Sequence, residues 1–172
     1  MLARRAAMST AARTDAGIAL VEAVRELVER ADRIAAYVSF GTEPPTGGVL
    51  ALRPDALLPV LRADGDLDWA VADERLARGR HGMLEPTGDR LGVDAVADCD
   101  VVLVPSLAVD RTGTRLGRGG GSYDRALRRA TGRTVALLYA GELVTELPAE
   151  PHDVRVTAVV TPSHGLADLP AG

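Results

Sequence analysis

CDVVLV, Cys99 to Val104, is a β-branched run, apolar throughout from Val101 to Val104, the composition of a strand buried on both faces of a parallel sheet. Working outward, Pro105 to Ser122 reads as a loop by its Gly, Thr and Ser content. Tyr123 to Ala130 reads as a helix, and Thr134 to Tyr139 and Val156 to Thr161 read as two more strands. Upstream, Asp15 to Arg33 carries apolar residues at Leu20, Val24, Leu27, Val28 and Ala31 with charges between them, the period of a helix packed on one face. Ile34 to Phe40 follows as a buried strand, Gly41 to Gly48 as a loop, Leu57 to Leu61 as a short strand and Gly65 to Asp68 as a turn. Ala70 to Ala77 is expected to be a short helix or irregular. Helices and strands alternate. That order predicts a single α/β domain with a mostly parallel sheet and helices on both faces, a Rossmann-like three-layer arrangement.

Composition narrows the chemistry. At 172 residues the chain is one domain in size and should bury roughly 70% of its unfolded surface. It is 47% hydrophobic and 26% charged, with no apolar run of the roughly 18 residues a membrane span requires. The net charge of -4 speaks against general nucleic-acid binding, which needs a basic surface. All 20 basic residues are Arg; with no Lys, Walker-type loops, Schiff bases and lysine general bases are excluded. Cys99 is the sole cysteine, so neither an intrachain disulfide nor a cysteine metal cluster is possible, and a small buried thiol is the expected role. Met1 to Arg13 is Arg- and Ala-rich without an apolar core, so it is no secretory signal, and a reducing, cytoplasmic setting is expected.

The most informative segment is RLGRGGGSYDR, Arg115 to Arg125. Glycines at 117, 119, 120 and 121 allow close backbone approach, and a following helix start offers free N–H groups to an anion. From Arg111 to Arg133 there are seven arginines and one acid, Asp124, a local charge of +6 in an acidic protein. Guanidinium forks grip phosphate or carboxylate oxygens, so Arg115 and Arg118 suit a polyanion. A helix-capping turn leading into a solvated basic helix accounts for Ser122, Asp124, Arg128 and Arg129 equally well. Asp124 suits a helix start through the dipole and would also suit Mg²⁺ beside a phosphate.

The stretch VLVPSLAVDRTGTRLGRGGGSYDRAL, Val102 to Leu127, resembles the signature of 5-formyltetrahydrofolate cyclo-ligases, also called methenyltetrahydrofolate synthetases. The resemblance extends, in order, to AAYVSFGTEPPT (Ala35 to Thr46), LEPTG (Leu84 to Gly88) and ELPAEPHDVRVTAVVTP (Glu146 to Pro162). It implies one cyclo-ligase-like domain over residues 1–172 and Mg-ATP-dependent conversion of 5-formyltetrahydrofolate to 5,10-methenyltetrahydrofolate, ADP and phosphate. It further implies that Arg115, Leu116, Gly117, Arg118, Gly119, Gly120, Gly121, Ser122 and Tyr123 wrap the ATP phosphates. Arg118 to Ser122 would also face the folate, with Val38 and Glu43 on the pterin side. Asp124 and Asp153 match the magnesium ligands, and Arg118 and Tyr123 are the candidate catalytic residues. On residue type alone Glu43 is an ordinary loop acid and Tyr123 a core aromatic. His152 beside Asp153 invites a metal reading, but Mg²⁺ prefers oxygen; His81 and His164 are expected at the surface.

Two positions depart from the family pattern. Its basic K-x-x-x-R element, which reaches the ATP phosphates, would lie upstream of Met1, so the chain is expected to start past it, and Arg4 and Arg5 take no assigned role. Ser122 stands where many members carry an aromatic residue. The resemblance thus implies small-molecule partners, ATP and a folate, for a monomer without nucleic-acid or membrane partners. The alternative is a non-catalytic nucleotide- or folate-binding relative.

Overall fold

The structure, a computed structural model, describes residues 1–72 and 75–170. Helix α1, Leu2–Ala6, is followed by α2, Thr10–Arg30. α2 begins five residues before the sequence pattern suggests because Ser9 caps it, its Oγ accepting from the Ala12 N–H at 3.2 Å. It ends at Arg30 as Ala31 turns extended. Strand β1, Ile34–Ala35, leads through a loop to α3, Gly47–Leu52, and on to β2, Leu57–Leu61, and β3, Leu67–Val71. A small hairpin follows, β4, Leu76–Arg78, with β5, Leu84–Pro86. Then come β6, Val101–Pro105, β7, Ala108–Asp110, β8, Arg115–Leu116, and α4, Ser122–Leu127. Strands β9, Arg133–Leu137, β10, Leu143–Val144, β11, Ala158–Thr161, and β12, Gly165–Asp168, complete the described chain.

Seven strands form the main sheet in the order β12-β11-β9-β6-β1-β2-β3. The five central ones are parallel, and β3 and β12 flank them antiparallel. Period-two alternation sends Val101, Leu103, Val135, Leu137, Ala158 and Val160 to one face, under Leu20, Val24 and Val28 of α2 and Val49 of α3. Val102, Val104, Ala136 and Val159 face the other way, against Ala126 and Leu127 of α4 and the buried Trp69. Mixed α/β architecture with a mostly parallel sheet is therefore as expected, and among the described residues the second face is covered by the short α4, a 3₁₀ segment at Val93–Asp98, Val109 and Leu143 of the small sheet, and loops. Cys99 is buried in that layer, and burial pushes its thiol up to about 11, which removes it as a nucleophile at neutral pH.

Three expectations need correction. The expected strand Ile34 to Phe40 is only β1 long, because Thr46 draws the chain out of the sheet: its hydroxyl donates to Tyr37 O at 2.6 Å and accepts from the Ser39 N–H at 3.0 Å. Ala70 to Ala77 is not helical where described. It contributes the end of β3, paired antiparallel with β2, and part of β4; residues 73 and 74 lie outside the described residues. Pro105 to Ser122 is not all loop but holds the β7–β8 hairpin, completed into a three-stranded sheet by β10.

Chain order along the main sheet runs one way from β1 through β2 to β3 and the other way from β6 through β9 to β11. The reversal falls between β1 and β6, and the connecting helix changes face with it, α3 between β1 and β2 packing on one face and α4 between β6 and β9 on the other. In open α/β sheets ligands enter the crevice outside the strand C-termini at such a switch point. The loops that leave β1 and β6 at that edge carry Glu43 and the glycine segment.

Candidate functional site

Glu43 is held by the packing of its loop. Pro45 lies so close to α2 that a Cβ on Gly17 would meet its Cβ at 3.1 Å, so the helix seats the Glu43-Pro44-Pro45 turn directly on its backbone. Glu43 Oε2 accepts from the Phe40 N–H at 2.8 Å, and Glu43 O accepts from the Tyr139 hydroxyl at 3.1 Å. Its Oε1 stands 3.6 Å from Nε of Arg118, whose guanidinium also lies over the Phe40 ring at 5.8 Å from its centroid. Glu43 and the tip of the glycine loop, 75 positions apart in sequence, face one another across the switch point.

Gly119 and Gly121 have φ of +85° and +66°, the left-handed region in which a Cβ is strained, and Gly121 is the N-cap of α4. Gly119 has open space where a Cβ would be, so the backbone there is free for close approach. α4 is shorter than the expected Tyr123 to Ala130 and supplies little dipole, so anion binding rests on the arginines and the loop N–H groups. Arg115, with its side chain 5% exposed, donates through Nη2 to Asp124 Oδ1 at 2.7 Å and lies 6.0 Å from the Tyr123 ring centroid. Leu116 is exposed and Ser122 half-buried. Arg125, in contrast, turns inward and ties Gly65 O and Gly120 O together at 2.6 and 3.1 Å, a structural pin.

Aromatic side chains converge on Glu43. Tyr123 and Tyr37 are both desolvated, which raises their hydroxyl pKa values, and the Glu43 charge adds to the effect in each. Neither hydroxyl has a hydrogen-bond partner among the described residues. Two buried, unpaired hydroxyls next to a carboxylate are costly unless a ligand uses them, so they fit a bound polar heterocycle or phosphate. Tyr37, Tyr139 and Phe40 were not among the expected site residues. Their scarcity was the one available signal, since Tyr and Phe number only three and one in the chain. Val38, expected on the folate side, packs partly buried against the α2-side core.

Asp153 lies in the segment before β11, with Oδ2 accepting from the Glu150 N–H at 2.8 Å. Arg128, just past α4, donates to His152 O at 3.0 Å and so ties that segment to the helix bearing Asp124. His152 itself leans on Glu150 at 3.3 Å. Among the described residues no group of three or more His, Cys, Asp or Glu side chains is arranged to hold a metal. Asp124 and Asp153 instead suit an ion that arrives with phosphate oxygens, the usual habit of Mg²⁺. His81 and His164 are both exposed, as expected, and His164 Nδ1 lies 2.8 Å from Ser163 Oγ.

The N-terminal segment, which sequence reasoning left without a role, is anchored by buried polar contacts. Arg5, 1% exposed, forks onto Glu142 with Nε–Oε1 and Nη2–Oε2 both 2.7 Å, donates to Ser106 O at 2.6 Å, and lies 5.4 Å from the Tyr139 ring centroid. Arg4 donates to Ala140 O and Gly141 O. A cavity of about 510 Å³ opens beside this anchor, lined by Arg4, Arg5, Met8, Tyr139, Glu142 and Pro162 among others, and it lies apart from the glycine loop.

The sequence profile of the 5-formyltetrahydrofolate cyclo-ligase family matches residues 1–162. The chain belongs to the 5-formyltetrahydrofolate cyclo-ligase family. A 5-formyltetrahydrofolate cyclo-ligase of Mycolicibacterium smegmatis is 41% identical over 148 residues, covering 79% of this chain and 76% of that protein. That of Escherichia coli is 38% identical over 147 residues, 79% of this chain and 81% of its own. The solution structure of Aquifex aeolicus 5,10-methenyltetrahydrofolate synthetase superposes with a TM-score of 0.84 at 26% identity, covering 99% of this chain and 90% of that one. This cyclo-ligase family member is accordingly an enzyme of the ligase class, with the mixed α/β fold of its structural neighbour. Among the described residues, no helix is long and apolar enough to cross a membrane.

Proposed function

We propose that the enzyme converts 5-formyltetrahydrofolate, with Mg-ATP, into 5,10-methenyltetrahydrofolate, ADP and phosphate, acting as a cytoplasmic monomer on these small molecules alone. The observation that carries this reading is the opposition of Glu43 and Arg118 across the switch point, with the unpaired hydroxyls of Tyr37 and Tyr123 buried beside them. The acid is suited to accept hydrogen bonds from the pterin, and the glycine loop to close over phosphates.

The N-formyl oxygen is a poor leaving group. Transfer of the γ-phosphoryl to it forms an O–P bond as the bond to ADP breaks, and leaves an iminium-like carbon. N10 attacks that carbon, the C–O bond breaks, phosphate departs and N10 loses its proton. The protein's part is to position and neutralise rather than to bond covalently. Arg115 and Arg118 neutralise charge on the transferring phosphoryl, and loop N–H groups from Gly117 to Ser122 orient it. Tyr123 walls the site from water beside them. Asp124 and Asp153 would hold Mg²⁺, which when bound with ATP draws charge from the phosphate oxygens.

Purified protein mixed with 5-formyltetrahydrofolate and Mg-ATP should accumulate the near-ultraviolet absorption of the methenyl product and release phosphate in equal amount. Calorimetric binding of both ligands without turnover would overturn the reading in favour of a non-catalytic binder.

A further inference from the structure

We propose that Arg5 and Tyr139 are positioning residues that link the docked N-terminal segment to the folate-side acid Glu43. The proposal rests on the site reading above for its kinetic consequence, but its structural content stands apart from it.

The connection is a continuous set of short contacts between four segments distant in sequence. Arg5 comes from α1. Glu142 and Tyr139 form a tight turn beyond the C-terminal end of β9, where the Glu142 N–H donates to Tyr139 O at 3.2 Å and Glu142 Oε2 accepts from the Tyr139 N–H at 2.8 Å. Ser106 follows β6 and supplies a carbonyl to Arg5. The guanidinium thus fastens the ends of the two neighbouring strands β6 and β9 and lies against the face of Tyr139. From the far end of that ring the hydroxyl reaches Glu43 O, and the Glu43 carboxylate in turn accepts from the Phe40 N–H and faces Arg118.

Each junction is directional. The forked Arg5–Glu142 pair fixes the guanidinium plane. Burial alone would lower the Arg5 pKa, but the Glu142 hydrogen bonds and charge outweigh it and raise it, so the cation persists at every working pH. A flat cation against one face of a tyrosine leaves the ring little freedom, and the Tyr139 hydroxyl is the contact through which this cluster holds the backbone of the Glu43 turn. The Tyr139 N–H and hydroxyl therefore both serve geometry, and neither faces a reacting atom. α1, five residues long, has no reason to be stable by itself, and it gains its place through this buried charge pair.

The test compares wild type with Tyr139→Phe, which removes only the hydroxyl, and Arg5→Lys, which keeps the buried charge balanced but loses the fork and the flat face. Amide hydrogen exchange at Phe40 and Glu43 is expected to quicken about five- to tenfold in Tyr139→Phe, the worth of one neutral hydrogen bond. Arg5→Lys should shift it in the same direction, and Val135 to Leu137 in β9 should stay unchanged in Tyr139→Phe, which keeps the Arg5–Glu142 fork. In turnover, KM for 5-formyltetrahydrofolate should rise by about the same factor, since the bond orients the acid before chemistry, with kcat and KM for Mg-ATP within about twofold. Unchanged exchange at Phe40 and Glu43 in both variants would overturn the proposal, as would an equal rise across β6 and β9 in Tyr139→Phe, the mark of a general loss of stability. A wild type that turns over no 5-formyltetrahydrofolate would defeat the proposed function and leave the exchange result to decide the linkage.

Discussion

Arg115 Nη2 donates to Asp124 Oδ1 at 2.7 Å, so the one acid in the basic segment Arg111 to Arg133 is bound to the arginine that opens the glycine loop. Arg115 has its side chain almost wholly buried, and its Nε makes no hydrogen bond among the described residues. The pair holds both ends of the glycine loop together through Asp124 Oδ1. A nucleotide phosphate would compete for the guanidinium just as a magnesium ion would compete for the carboxylate.

Asp124→Asn keeps the shape but weakens both roles. Stability should fall by about 1–3 kcal/mol, the cost of a charge-assisted hydrogen bond, as read by urea denaturation. kcat/KM for Mg-ATP should fall at least tenfold, about 1.4 kcal/mol of transition-state stabilisation, with KM for the folate little changed. Full activity in this variant would remove Asp124 from the metal site.

Tyr123→Phe separates a ligand-directed hydroxyl from a structural one. Its Oη has no partner among the described residues, so removal should leave the melting temperature unchanged or raise it. Affinity for folate or nucleotide, measured by calorimetry, should nonetheless weaken about five- to tenfold if the hydroxyl meets the ligand. A stability loss with unaltered affinity would assign it to the fold.

Arg5→Met leaves Glu142 charged and buried without its partner, and should cost about 3–5 kcal/mol in chemical denaturation. Arg5→Met combined with Glu142→Met should recover most of that loss, because no lone buried charge remains. Equal destabilisation of the single and double variants would show that the fork contributes packing rather than charge balance.

Asp110 gives the fold an acid-side weakness. It is 2% exposed, and burial would raise its pKa, but the Thr112 hydroxyl and the N–H groups of Thr112, Leu147 and Thr114 outweigh burial and lower it below 3.8. The folded state thus favours the carboxylate. Its contribution is fully present above pH 3.8 and is lost as pH falls through the lower folded value. Urea midpoints followed from about pH 7 to pH 2.5 should drop more steeply for wild type than for Asp110→Asn, whose side chain does not titrate. Parallel curves would refute the assignment.

Much of the parallel sheet was legible because its signal is local. Val101 to Val104, Thr134 to Tyr139 and Val156 to Thr161 are strand-like in composition, and each lies in the main sheet to within a few residues. Strands whose partners lie elsewhere were not. β7 is short and flanked by turn residues, and it exists because β10 pairs with it from more than thirty positions away. β3 carries Asp68 within an apolar alternation, and only its antiparallel register with β2, which puts Trp69 opposite Pro59, makes it a strand. β1 was overextended in the reading because its apolar run is local, whereas Thr46, which ends it, acts from nine positions away.

The sequence by itself determined the α/β class, the family resemblance and the glycine-arginine loop, since these reside in composition, period and contiguous motif. Tertiary structure alone decided which residues meet. The reversal of strand order between β1 and β6 brings Glu43 to Arg118, folding gathers all three tyrosines around that acid, and Arg5, unassignable in a run of Arg and Ala, becomes a buried anchor. The physical reason is burial. A charge or hydroxyl acquires a specific role only when the fold withdraws it from water and leaves it one partner, and no spacing along the chain states which partner that is.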